Sequence, residues 1–176
     1  FMANYNIDNE TASFAASMLF VGFALGSVPV AMVARKVNGY VKTMRFSIVG
    51  VALLFVPLIY VRNMYLSFAI VFLIGILTNG EVLAFTCAKN NESSGNAGVA
   101  IALSNGLIML AGLIFQPVLG VLLDCFWTGK MSEQGLRVYE ISCYQKAILT
   151  LPICLVAAYI LSLFMKETIG TEKNRP

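Results

Sequence analysis

The stretch Ala97-Gly98-Val99-Ala100-Ile101-Ala102-Leu103-Ser104-Asn105-Gly106-Leu107-Ile108-Met109-Leu110-Ala111-Gly112-Leu113-Ile114-Phe115-Gln116-Pro117-Val118-Leu119-Gly120-Val121-Leu122-Leu123-Asp124 decides the fold, because its only charge is the final aspartate. A helix needs about 20 mostly apolar residues to cross a bilayer, and lipid obliges such a run to satisfy its own backbone. Working outward, Thr11 to Ala34, Thr43 to Val61, Tyr65 to Ala88 and Tyr144 to Met165 read the same way. The fold class is therefore all-α, a polytopic membrane helical bundle with five transmembrane helices, spanning about 11–34, 43–61, 65–88, 97–124 and 144–165.

Composition agrees. The chain is 59% hydrophobic and 12% charged, which excludes an ordinary soluble domain. A net charge of +3 spread over loops forms no basic patch, so nucleic acid is not an expected partner. The absence of histidine removes the Ser-His and Cys-His nucleophile pairs, the imidazole base and the commonest metal ligand. With no C-x-x-C either, the expectation is no metal, no cofactor and no enzyme activity. Cys87 and Cys154 fall inside spans as small apolar residues. Cys125 and Cys143 bracket the one long loop and could close it as a disulfide in an oxidising compartment, the alternative being two unpaired thiols near the interface. That loop has mixed charges and room for a short helix.

Lysine and arginine concentrate on the cytoplasmic side of membrane proteins. One side here holds Arg35, Lys36, Lys42, Arg45, Lys89, Lys166, Lys173 and Arg175; the other holds Arg62, Lys130, Arg137 and Lys146. The amino end is expected outside and the carboxyl end in the cytoplasm, in a plasma or inner membrane. Asp8 and Glu10 precede the first span where a signal peptide would carry basic residues, so this span belongs to the mature protein. Residues 1–10 read as an extracytoplasmic loop remnant and 169–176 as a cytoplasmic tail, and the start at Phe1 reads as a fragment's. Arg62-Asn63 is barely a turn, so the second and third spans form an antiparallel hairpin.

Glu81 is the only acid well inside a span. Burying it costs about 2.5 to 3.5 kcal/mol on insertion scales, so it should face a cavity or a partner. It lies eight residues before Lys89, or about 12 Å from that helix end. Such a carboxyl can carry a proton; the plainer reading is a protonated acid bonded to a neighbouring helix, or one that snorkels to the interface. Thr78 shares its face, whereas Asn79 joins the same cavity only if Gly80 permits a break in the helix. In the fourth span Asn105 and Gln116 are candidate cavity-lining groups or interhelical glue, and Pro117 removes the amide that would bond the Leu113 carbonyl.

Gly22 and Gly26 form a GxxxG, read as close packing within the subunit ahead of dimerisation. The run Gly26-Ser27-Val28-Pro29 in the first span is echoed by Gln116-Pro117 and Gly120 in the fourth, three spans on. Paired interruptions of this kind mark moving elements in transporters built from inverted repeats, although chance supplies them too.

These features together resemble the carboxyl-terminal half of a major facilitator superfamily transporter. The residues that carry the likeness are Gly26-Ser27, the basic loop Arg35, Lys36, Gly39, Lys42 and Arg45, Glu92 with Gly95 and Gly98, Asn105, Gln116-Pro117, Gly120, Asp124 and Lys166-Glu167-Thr168. In the family's signature an acid follows the glycine-spaced helix end; here Arg35 stands in that place and Tyr40 follows Gly39. The resemblance implies a partial fold of the superfamily, helices eight to twelve, with the seventh helix and the amino-terminal half missing. It also implies alternating-access transport of a small solute with protons, Glu81 lining the central cavity, and the first and fourth spans rocking at the interface between halves. The competing reading is a small oligomeric membrane protein, a channel subunit or assembly factor, joined through Gly22 and Gly26.

Overall fold

A computed structural model describes residues 8–92, 95–132 and 135–167. These fold into seven helices: α1 Asn9–Lys36, α2 Tyr40–Tyr60, α3 Met64–Thr78, α4 Gly80–Asn91, α5 Ala97–Cys125, α6 Ile141–Ile148 and α7 Thr150–Ser162. The third span is α3 and α4 joined through Asn79, and the fifth is α6 and α7 joined through Leu149. Five helical segments are thus long and apolar enough to cross a membrane, and the chain is a multi-pass membrane protein by that measure. No strand forms among the described residues, only an isolated bridge between Met131 and Arg137.

The interruptions fall where the Gly/Pro echo does not point. Helix α1 runs on through Pro29 and α5 through Pro117. The fifth span instead steps at Leu149, three residues before Pro152, whose missing amide cannot bond the Ile148 carbonyl. The step at Asn79 has no proline near it and belongs to the site below. The hairpin of α2 and α3 turns tightly at residues 61–63, and the Asn63 side chain accepts from Leu66 N at 3.1 Å to cap α3. At the other end of α2, Asn38 adopts φ 50° and ends α1, with Gly39 N donating to Ala34 O at 3.0 Å.

Helices α1 and α3 make the most extensive contact in the molecule, and α2 packs on α3, α4 and α7. The α1–α3 seam is backbone against backbone. A Cβ on Gly22 would overlap the Phe72 carbonyl, and one on Gly75 would overlap the Leu19 carbonyl. In lipid such close approach, with its dispersion gain, is what holds helices together. Beside the seam, Val51, Ile70 and Ile74 form a buried cluster with Leu19, Leu54, Leu77 and Leu155 against it. Toward the basic loop, Val41, Met44 and Cys87 are packed with Met165, and Val30 and Ala34 with Leu83.

Helix α5 is different. Its main neighbours are α4 and α6, next to it in the chain, and none of its residues is buried.

Candidate functional site

Asn79 interrupts the third span and explains why the span breaks. Its side chain is 1% exposed, and Nδ2 donates to Phe23 O of α1 at 2.7 Å, with longer approaches to Gly75 O at 3.4 Å and Ile76 O at 3.3 Å. Gly26 makes room, since a Cβ there would lie 2.7 Å from that nitrogen and from Ile76 Cα. Gly80 makes room on the other side, where a Cβ would overlap the Ser47 side chain of α2. The three small or polar residues therefore act together: Gly26 and Gly80 let three backbones meet, and Asn79 ties the meeting point to α1. The tie is incomplete, because Asn79 Oδ1 is buried with no partner among the described residues, and such an atom costs about 1 to 3 kcal/mol.

The break starts a new helix within the span, and Glu81 stands in its first turn. A carboxylate is favoured at that position by the helix dipole. Glu81 is exposed on the bundle surface, while Asn79 is buried in the bundle. The local break that would let both serve one cavity is present, yet the two still face apart, as residues two apart on a regular helix do. Thr78 does not join Glu81 either, for its hydroxyl donates to Ile74 O of its own helix at 2.7 Å.

Asn105 and Gln116 lie on α5, both exposed, and neither makes a side-chain hydrogen bond among the described residues. Eleven residues is three helical turns to within about 20°, so the two share one face. Pro117 and Gly120 are exposed beside them, and nothing lies within 4 Å of a Cβ placed on Gly120. The five residues read as a binding group are thus split between the buried Asn79, the half-buried Thr78 and three exposed positions on two helices.

The basic loop is docked, which its sequence does not announce. The Glu167 carboxylate accepts from Tyr40 N at 2.7 Å, Val41 N at 3.2 Å and Lys42 N at 3.2 Å, capping α2 from beyond the end of α7. In return the Arg45 guanidinium donates to Ser162 O at 2.7 Å and Met165 O at 3.4 Å, at the carboxyl end of α7. Acid at one helix start and base at the other helix end each complement a dipole. Gly39 is buried under this clasp, a Cβ there falling 3.0 Å from Glu167 Oε2, while Arg35, Lys36 and Lys42 remain exposed. Glu167 is the residue that sequence reasoning missed as a functional partner; its only signal was an acid just past the last span. Lys173 and Arg175, together with the residues 1–7 of the loop remnant and the tail 169–176, lie outside the described residues.

At the opposite end the long loop forms no helix among its described residues. It doubles back instead, with Val138 N on Lys130 O at 3.0 Å and Ser132 N on Leu136 O at 2.8 Å, and with Gly129 and Gly135 at φ 86° and 75° making the turns. Asp124 anchors it by pairing with Arg137 at 2.7 Å and accepting from the Tyr139 hydroxyl. That hydrogen bond holds the Tyr139 hydroxyl above its ordinary pKa. Arg137 also lies 4.9 Å from the centre of the Trp127 ring, and Lys130 pairs with Glu140 at 2.6 Å. The disulfide allowed between Cys125 and Cys143 is not formed: Cys125 is exposed, and the buried Cys143 thiol donates to Phe126 O at 3.0 Å.

Compared with family models, with curated proteins and with solved structures, the chain finds no match in any of the three.

Proposed function

We propose that the chain is part of a secondary active transporter that moves a small solute by alternating access, driven by protons, in the manner of the carboxyl-terminal half of the major facilitator superfamily. One observation carries the reading: the third span is interrupted at Asn79, and the interruption presents an exposed carboxyl, Glu81, from the first turn of α4. A carboxyl within a span belongs against a polar cavity or a partner. Broken helices at membrane depth are tolerated where they are buried in protein or line such a cavity, and they recur at the binding sites of transporters.

In this reading Glu81 takes up the proton, and the Asn79 clasp on Phe23 O couples α4 to α1. The uncovered faces of α1 and α5 receive the amino-terminal half, with Asn105 and Gln116 lining the solute path. The oligomeric alternative has less to stand on, because α3 already fills the space against Gly22 and Gly26. A thermal-shift screen across sugars, amino acids, peptides and organic acids identifies the solute. In the full-length transporter Glu81→Gln then abolishes pH-driven uptake and leaves counterflow exchange measurable. Undiminished pH-driven uptake removes Glu81 from the mechanism. Accumulation of solute by proteoliposomes holding these 176 residues alone overturns the half-transporter reading.

A further inference from the structure

A cleft of about 350 Å³ opens at the end of the bundle away from the basic loop, lined by Tyr60, Arg62, Ile141, Ser142 and Gln145. Helix α2 is 21 residues long, or about 32 Å, which matches the hydrocarbon thickness of a bilayer. Tyr60 is its last residue, so the cleft lies at the level of the lipid headgroups. The α2 and α6 walls are held together by Gln145 Nε2, which donates to Ile59 O at 2.9 Å.

The chemistry of the lining is one-sided. Arg62 makes no ion pair among the described residues, and no carboxylate lines the cleft. Glu140, next to Ile141 in the sequence, is engaged by Lys130 at 2.6 Å. The hydroxyls of Tyr60 and Ser142 have no protein partner among the described residues, leaving a guanidinium and two hydroxyl donors around one space. A planar guanidinium with adjacent hydroxyls suits the oxygens of a phosphate. Tyrosine and arginine at this depth are the usual residues of the membrane–water boundary.

We propose that this cleft binds the phosphate of an anionic phospholipid, with Arg62 pairing to the phosphate oxygens, Tyr60 and Ser142 donating to them, and Ile141 against the glycerol. The site depends only on membrane residence, so it stands or falls apart from the transport reading.

The chain in nanodiscs of equal phosphatidylglycerol and phosphatidylcholine, released for native mass spectrometry, retains phosphatidylglycerol preferentially. Arg62→Gln lowers that preference about fivefold, the worth of one arginine near a charged surface. Ser142→Ala lowers it in the same direction, and Arg137→Gln, a cation of the same side already engaged by Asp124, leaves it unchanged. An unaltered preference in Arg62→Gln, or an equal fall in Arg137→Gln, overturns the proposal. So does an Arg62-dependent thermal shift given by inorganic phosphate in pure phosphatidylcholine nanodiscs without any phosphatidylglycerol preference, which assigns the cleft to a soluble phosphate.

Discussion

The seam between α1 and α3 and the long helix α5 are equally apolar, yet one is the most tightly joined part of the molecule and the other is almost bare. The seam has glycine where the helices cross, so carbonyls and Cα atoms of the two backbones touch. Helix α5 is as rich in glycine, but Gly98, Gly106, Gly112 and Gly120 meet nothing within 4 Å among the described residues. In lipid an apolar side chain gains nothing by leaving one hydrocarbon neighbour for another. Hydropathy therefore says that a helix is in the membrane and says nothing of what it touches. Close approach needs small residues at the crossing, as Gly22 finds with Gly75 and Gly26 provides for the Ile76 backbone and the Asn79 amide. Helix α5 is held by its chain neighbours α4 and α6, and Asp124 ties its end to the loop that follows.

The strongest way to break this contrast is to add a side chain in each region. Gly22→Val in the seam forces a side chain onto the Phe72 carbonyl, and overpacking of that kind costs about 3 kcal/mol. Gly112→Ala on α5 meets open space and stays within about 0.5 kcal/mol of the parent. Reversible unfolding of both variants in mixed detergent–SDS micelles measures the pair. Equal losses would mean that α5 is packed in the bilayer as firmly as the seam.

A smaller effect is expected from the polar contact that crosses the seam. Asn79→Ala removes the bond to Phe23 O and at the same time the unpartnered Oδ1. The net loss is about 1 kcal/mol, in the range of interhelical hydrogen bonds in membranes. The same unfolding assay reads it, and a gain in stability would show that the buried Oδ1 outweighs the bond.

The sequence shows why some of this was legible and some was not. The spans were readable to within a few residues, because lipid leaves a long apolar run no alternative to helix. Gly22 and Gly26 were readable as a packing motif, whereas Gly75, which meets Gly22, was not, since a lone glycine in a span carries no pattern. Pro29 and Pro117 looked like the breakpoints and are absorbed into continuous helices. The third span breaks at Asn79 instead, because its amide finds Phe23 O, a partner 56 residues away that only the folded bundle supplies. Glu167 was missed for the same reason: the three amides it caps lie at 40–42, at the far side of the chain. Glu81 was readable as an anomaly, and its exposure opposite the buried Asn79 is what two residues of a regular helix already give.

The smallest effect tests whether α5 is held by its tip. Trp127 is the only tryptophan of the chain and stacks on Arg137, so its fluorescence reports the Asp124 anchor alone. The Tyr139 hydroxyl must be protonated to donate to Asp124, and that bond raises its pKa. A raised value means that the folded loop holds this proton more tightly than the unfolded one. The contribution is complete below the ordinary tyrosine pKa of about 10 and disappears as pH rises through the raised value. Trp127 emission is expected to change with a midpoint above pH 10, and Tyr139→Phe is expected to abolish that step while leaving the unfolding of the seam unaltered. A parallel loss of seam stability in Tyr139→Phe would mean that tip and seam are one cooperative unit, and the contrast between the two regions would fall.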